Sequence, residues 1–526
     1  RLDGLLGEPA QDVTVTTFHS LGLRILRENA AAVGLDPDFV VVETTEEGDV
    51  ASDGPPERLP EVDRTPSVPA PRPARARRAG GRPAADAGPP ARATRPDQVT
   101  LDELVSLARD LLRADPELAD RYHARWPWIF VDEYQDVDAT QYELLRALVP
   151  AGGNICAIGD PDQSIYSFRG SDVRFFLRFA EDFPGARVVR LARNYRSTAP
   201  IVATAGQVIA ASSLVRGRRF EPARLEPDAP VPGLHAAATP TAEAEWVART
   251  IEELVGGTSH RSFDSGRVDS RKTVQEGLSF ADIAVLYRTD AQAGPVIEAL
   301  TRAGLPVQKR SHDRLIERRA VAALARELQF LQRSAVAGAS VVDRVRAAGE
   351  ALVDGRPRLF DGDGEPAVQL PGAEVYAAVE LLLPLASRYG DDLPGFLQAL
   401  ATGAEVDSLD PRAEAITLLT LHAAKGLEWP VVFLIGCEDG LLPLRLPGAV
   451  LSEEEVAEER RLFFVGVTRA QRRLYLSHCL KRIRHGVEQQ PRRTPFLDPV
   501  DPGLLERLGE PEPARVAPRH RQLRLL

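Results

Sequence analysis

Trp128-Ile129-Phe130-Val131-Asp132-Glu133-Tyr134-Gln135-Asp136 sets the frame for the whole chain. Four consecutive apolar residues, β-branched or aromatic, read as a buried strand that runs straight into acidic residues. Continuous apolar strands mark a parallel sheet covered on both faces. In such sheets ligands gather beyond the carboxyl ends of the strands, where Asp132 and Glu133 fall. Carboxylates there can hold a hydrated Mg²⁺ through an oxygen ligand while a neighbour orients water for attack on phosphorus. Taken alone, the pair is more simply a solvated acidic turn before the helix that contains Gln141, Leu144 and Leu148.

The pattern recurs along the chain. Apolar runs ending in polar residues occur at 154–160, 186–191, 282–288, 416–422 and 431–436, separated by helical segments, which predicts an α/β fold. Residues 13–28 read as a short strand and an amphipathic helix with Leu21, Ile25 and Leu26 on one side, and 101–114 as a second helix. Residues 313–413 break the rhythm with Ala/Leu/Arg/Glu-rich helical segments, an inserted helical subdomain. Between 51 and 97 lie eleven Pro and an Arg cluster at 72, 75, 77, 78 and 82. A linker over about 47–97 follows, because such a stretch cannot bury enough apolar area to offset its ordering entropy. The alternative is a nonspecific nucleic-acid-binding arm.

Composition bounds the classes. With 526 residues, 44% hydrophobic and 27% charged, the chain can build two to four domains and is not disordered as a whole. No apolar run approaches the roughly 18 residues of a membrane span, and the first residues lack signal-peptide character, so a cytoplasmic protein is expected. Cys156, Cys437 and Cys479 are too few and too scattered for a disulfide framework or zinc site, and read as buried packing residues. The absence of Met leads us to expect a fragment. The net charge of −11 does not exclude a polyanionic partner, since phosphate contact needs only a local basic face.

Two further loops carry chemistry. Gly159-Asp160-Pro161-Asp162-Gln163-Ser164-Ile165-Tyr166-Ser167-Phe168-Arg169-Gly170 places an amide, two aromatic rings and an Arg together. An amide can sense a terminal phosphate or its attacking water, and aromatic faces can stack single-stranded bases. Asn194-Tyr195-Arg196-Ser197 offers a flat ring for a nucleobase and a guanidinium for phosphate.

With these blocks in this order, the sequence resembles the UvrD/Rep group of superfamily 1 DNA helicases. Thr17-Phe18-His19-Ser20 is similar to motif Ic, 132–136 to motif II, 159–170 to motif III, 194–197 to motif IV, Thr420 to Trp429 to motif V, and Glu459 to Ala470 to motif VI. The resemblance implies two RecA-like parallel-sheet motor domains with helical insertions. It allots 1–24 and 126–187 to the first motor domain, 188–312 and 414–500 to the second, 25–125 and 313–413 to insertions, and 501–526 to a tail. It implies ATP and Mg²⁺ as cofactors, with Asp132 the metal ligand, Glu133 the catalytic base and Gln163 a γ-phosphate contact. Tyr195 would stack on adenine, Glu428 would bond the ribose, and Arg196 and Arg469 would reach the γ-phosphate as fingers when the domains close. Phe18, His19, Tyr166, Phe168, Arg169 and His422 would lie along the DNA.

Phe168 stands where relatives carry Trp, Phe464 where they often carry Tyr, and His485 where they often carry a stacking aromatic. A GxxxxGK[ST] phosphate loop does not occur, and none of the four lysines, 272, 309, 425 and 481, follows a Gly. The family places that loop ahead of motif Ic, so we expect it upstream of Arg1 and expect this chain alone to hydrolyse no ATP. The implied activity is a 3′–5′ DNA helicase or translocase of repair or recombination, acting on single-stranded DNA and single/double-strand junctions, with repair proteins as partners. The short insertions favour single-strand translocation over duplex engagement. The rival readings are the motor part of a helicase-nuclease and a noncatalytic nucleic-acid-binding remnant.

Overall fold

The computed structural model describes residues 13–42, 96–256, 277–309, 319–333, 339–353, 370–402, 414–446, 448–484 and 486–509. Most of the expected linker, His485, Lys272 and the last residues lie outside them. The chain divides into two compact units, 1–127 with 143–150, and 128–142 with 151–526.

In the first unit, α1 (Phe18–Glu28) starts at Thr17, whose hydroxyl accepts the Ser20 amide and satisfies one of the free N–H groups of the first turn. Leu23, Ile25 and Leu26 are buried, whereas Leu21 is half-buried. The expected strand before this helix does not form; 13–17 is irregular. Strands β1 (Val40–Val42) and β2 (Gln98–Thr100) pair in parallel. Thr100 and Glu103 form a reciprocal capping box that opens α2 (Leu101–Ala114), and Asp115 caps α3 (Pro116–Arg125).

The second unit begins with β3 (Trp128–Val131), which pairs in parallel with β4 (Asn154–Ala157). Helix α4 (Ala139–Leu148) lies between them in sequence, its residues from Glu143 on counted with the first unit. Then come β5 (Arg193–Thr198), α5 (Ala199–Ile209), β6 (Glu221–Arg224), β7 (Gly233–Ala237), α6 (Pro240–Leu254), β8 (Ile283–Tyr287), α7 (Ala293–Arg302) and β9 (Val307–Lys309). Four helices follow, α8 (Arg319–Arg333), α9 (Val341–Val353), α10 (Gly372–Ala386) and α11 (Leu393–Thr402), around a core that includes Val321, Leu324, Val345, Leu382 and Phe396. The chain continues through β10 (Ile416–Thr420), β11 (Trp429–Leu434), α12 (Glu453–Val467), β12 (Ala470–Cys479), a hairpin of β13 (Arg482–Arg484) and β14 (Val487–Gln489), and β15 (Glu506–Leu508).

Seven strands form one all-parallel sheet in the order β15-β7-β12-β11-β8-β10-β9. Its interior strand β8, Ile-Ala-Val-Leu-Tyr, is wholly buried because alternate side chains enter different cores. Ala284 and Leu286 pack with α5 and α12, while Ile283, Val285 and Tyr287 pack with α6 and α7. That double coverage is why the strand reads as a continuous apolar run. Gly466 lets α12 lie directly on the sheet: a Cβ there would meet Leu421 Cδ2 at 2.4 Å and Leu434 Cδ1 at 2.8 Å.

Two expectations need correction. Residues 186–191 form no strand, and Val188, Val189 and Leu191 are exposed; the strand comes later, as β5, with Asn194 to Ser197 inside it. β-branched residues favour a strand only where a partner is available, and none of the described residues pairs with 186–191. Cys437 and Cys479 are buried as expected, but Cys156 is exposed. It sits on β4 of a two-stranded sheet whose Trp128 and Phe130 are exposed as well, so burial on both faces is not reached there.

Candidate functional site

Asp132 and Glu133 leave the carboxyl end of β3, as the strand-end rule predicts. Asp132 Oδ1 accepts the Glu133 amide at 3.0 Å. Glu133 adopts φ 51° and ψ 38°, the left-handed region, and is the one non-glycine residue with positive φ among the described residues. That conformation costs roughly 1–2 kcal/mol for an L-residue and is found where local structure overrides it, commonly at functional sites. What overrides it here is Gln135, fully buried, whose amide nitrogen donates to Glu133 Oε2 and whose carbonyl oxygen accepts the Asp160 amide at 3.1 Å. The neighbouring Gly159 has no side chain for a physical reason: a Cβ would stand 2.1 Å from Gln135 Oε1.

From the end of β4, Asp160 caps the short turn Pro161–Gln163. Arg218 grips both Asp160 oxygens, at 2.5 and 2.6 Å, and also Asp162 Oδ2 at 2.8 Å. Burial works to raise the Asp160 pKa, but the Arg218 bonds and charge hold it below the ordinary carboxylate value. The ionised Asp160 Oδ2 accepts Gln163 Nε2 at 3.0 Å, and Gln163 Oε1 accepts Arg469 Nη2 at 3.3 Å. The amide is thus oriented from both ends, nitrogen to the anion and oxygen to the cation.

Arg469 follows α12 and is 1% exposed. Its guanidinium also donates to Val465 O at 2.9 Å, Leu427 O at 3.1 Å and Thr468 Oγ1 at 3.2 Å, so every direct partner among the described residues is neutral. Burial first, then the nearby Arg196 charge, depress its pKa to about 10, against the pull of Glu133, Glu428 and Asp160. Arg196 Nε donates to Glu428 Oε2, and Gln471 holds Glu428 Oε1 at 3.0 Å. Arg196 is placed by Asn194, whose Oδ1 accepts the Arg196 and Ser197 amides at 3.0 and 2.9 Å, and by Arg224, which donates to Arg196 O at 2.9 Å. Beside them Tyr195 is 70% exposed.

Lys425, in the turns after β10, went unassigned in the sequence although it lies within the motif V block. Its ammonium donates to Asp136 Oδ2 and to Gln163 O at 2.7 Å, lies 3.6 Å from Glu133 Oε2, and stands 5.3 Å from the Tyr166 ring centroid. Asp136 is pushed up to about 6 by burial, with Glu133 adding to the rise and Lys425 opposing it. Arg218 was missed as well. Its signal would have been a lone basic residue needed to neutralise Asp160 and Asp162, a requirement that spacing cannot localise.

Four residues later on the same loop, the chemistry changes. Tyr166 and Phe168 have ring centroids 6.1 Å apart, Phe168 meets His422 edge-on at 5.5 Å, and Arg169 lies over both aromatic rings at 5.9 and 5.7 Å. The Tyr166 hydroxyl donates to His422 O at 3.2 Å, and Phe168 is 64% exposed. This is an aromatic platform edged by a cation, suited to stacking bases. Phe18 and His19 occupy the first turn of α1, in the other unit.

Asp132 and Glu133 are hard oxygen donors of the kind Mg²⁺ takes. A second carboxylate group, Glu243 and Glu438 with Cys479, has ligand atoms within 4.8 Å of one another and is fully buried. Its centre is filled by Arg482, which reaches Glu438 at 2.9 Å and Glu243 at 3.0 Å, so it is a structural clamp.

Residues 90–184 match the UvrD/REP helicase N-terminal domain, and residues 189–334 with 386–481 match the UvrD-like helicase C-terminal domain. The chain is 35% identical to the ATP-dependent DNA helicase UvrD2 of Mycobacterium tuberculosis over 78% of its own length and 55% of that protein's. It is 28% identical to the ATP-dependent DNA helicase PcrA of Bacillus subtilis, covering 98% of this chain and 79% of the relative. It is 27% identical to PcrA of Leuconostoc citreum, covering 96% and 77%. The chain therefore spans about half the length of the UvrD2 relative. No helix among the described residues is long and apolar enough to cross a membrane. On these matches the chain belongs to the UvrD/Rep-like family of superfamily 1 helicases.

Proposed function

We propose that the chain is the motor core of an ATP-dependent DNA helicase or translocase that moves 3′ to 5′ along single-stranded DNA in repair or recombination. The observation that supports this best is the convergence of Glu133, Gln163, Arg196, Glu428 and Arg469 on one locus, with an aromatic platform on the next turn of the loop that bears Gln163. In the proposed reaction a water oxygen bonds to the γ-phosphorus, the bridging bond to the β-phosphate breaks, and Glu133 takes the water's proton. Gln163 orients that water or the γ-phosphate. Arg469 and Arg196 neutralise charge gathering on the transferred phosphoryl oxygens. Asp132 would hold Mg²⁺, which supplies further charge neutralisation when bound. Tyr195 presents its exposed ring to adenine, and Glu428 shares its carboxylate with the ribose.

Tyr166, Phe168, Arg169 and His422 would carry the strand, and Phe18 and His19 are DNA contacts proposed for the first unit by itself. Single/double-strand junctions are the natural substrate for such a motor. The sequence holds no GxxxxGK[ST] loop, so the cradle for the β- and γ-phosphates has to come from elsewhere, and the chain by itself is expected to show no DNA-stimulated ATP turnover above background. Turnover comparable with that of complete helicases would refute this. Joined to such a loop, the chain should hydrolyse ATP, and Glu133→Gln should keep ATP binding while turnover falls by about 10²-fold or more. Unchanged turnover would reject Glu133 as the base.

A further inference from the structure

Helix α12 and the loop from Gln163 to Ser167 run past one another in opposite directions, joined at three points. Arg469, just beyond the helix, meets Gln163; Arg461 Nε donates to Ser164 O at 3.0 Å; and Glu458 takes both the Ser167 amide, at 3.1 Å, and the Ser167 hydroxyl. Glu458 to Val467 spans about 14 Å of continuous helix, so both ends of the loop are referred to a single rigid element. Ser167 stands between the two rings of the platform. Fixing its amide and its side chain together fixes the backbone that separates Tyr166 from Phe168.

We infer that Glu458 is a positioning residue for single-stranded nucleic acid: through Ser167 it sets the spacing of the Tyr166 and Phe168 rings on which bases stack. This rests on the reading of those rings as the strand-binding platform. An acidic residue beside a polyanion is unfavourable by charge alone, so its contribution has to come through geometry. The two effects separate experimentally. Glu458→Gln removes the charge but keeps an acceptor for Ser167, whereas Glu458→Ala removes both.

The test is binding of a fluorescein-labelled oligo-dT to the intact chain by anisotropy, at fixed salt. Glu458→Gln should bind as tightly as the unaltered chain or more so, and Glu458→Ala about fivefold more weakly. Ser167→Ala should weaken binding about twofold, and Glu458→Ala with Ser167→Ala should be no weaker than Glu458→Ala alone, because both report one contact. Thermal melting within about 2 °C of the unaltered chain would show that the fold is not what changed. Equal or tighter binding by Glu458→Ala, or fully additive losses, would overturn the inference. If the unaltered chain does not bind, or binds equally well as Phe168→Ala, the platform reading itself fails and takes the inference with it.

Discussion

Two buried arginines in the same unit behave in opposite ways. Arg482 and Arg469 are both withdrawn from water, a situation that penalises a cation. At Arg482 the penalty is more than offset by Glu438 and Glu243, and its pKa rises above the ordinary arginine value. Ser477 and the Gly436 amide complete Glu243 at 2.7 and 3.0 Å, and the Cys479 amide completes Glu438 at 2.7 Å. Arg469 meets carbonyls, a hydroxyl and an amide oxygen, and its pKa falls to about 10. One site is a closed ion network; the other is a cation held without a directly bonded anion among the described residues. The second arrangement is costly for stability alone and makes sense where an anion arrives.

The contrast can be broken first at its stronger end. Arg482→Ala leaves two carboxylates buried without a cation and should cost about 3–5 kcal/mol, read as a collapse of the denaturation midpoint. Arg469→Ala removes a cation with no bonded counter-charge and should cost about 1–2 kcal/mol, while abolishing acceleration of ATP hydrolysis in a chain joined to a phosphate loop. Equal destabilisation by the two changes would erase the distinction. A third test concerns Asp136. Its folded pKa, raised from 3.8 to about 6, means that the folded state holds a proton more tightly than the unfolded chain. Its contribution is therefore fully present below about pH 4 and lost as pH rises through about 6, a change on the order of 2–3 kcal/mol. Asp136→Asn should flatten that part of the stability profile between pH 4 and 7. The smallest effect is expected at the exposed platform, where Phe168→Ala should weaken oligo-dT binding by about tenfold without altering the melting temperature.

The same contrast explains what could be read from sequence. Strands β8, β10 and β11 were legible because burial on both faces imposes a continuous apolar run, β3 from its run of β-branched and aromatic residues although Trp128 and Phe130 are exposed, and the motif blocks because their residue types are needed together. The charge network at Arg482 was not legible: its partners come from 243, 438 and 482, and nothing local signals that they meet. Arg218 with Asp160 and Asp162 hid for the same reason. Strand β15, Glu506-Arg507-Leu508, carries no pattern of its own and is defined by pairing with β7, where Gly233 leaves room for Leu508. The run at 186–191 misled because propensity cannot say whether a partner strand is present.

The most direct test of the central claim, that groups from Asp132 to Arg469 meet on one triphosphate, is the thermal shift produced by Mg²⁺ with ATP at about 10 mM. A ligand that binds only the folded chain raises its melting temperature by mass action. The account predicts a rise of about 2–4 °C for the unaltered chain with ATP, a smaller one with ADP, and none for Arg469→Ala with either. An equal rise in Arg469→Ala, or none in the unaltered chain, would contradict it.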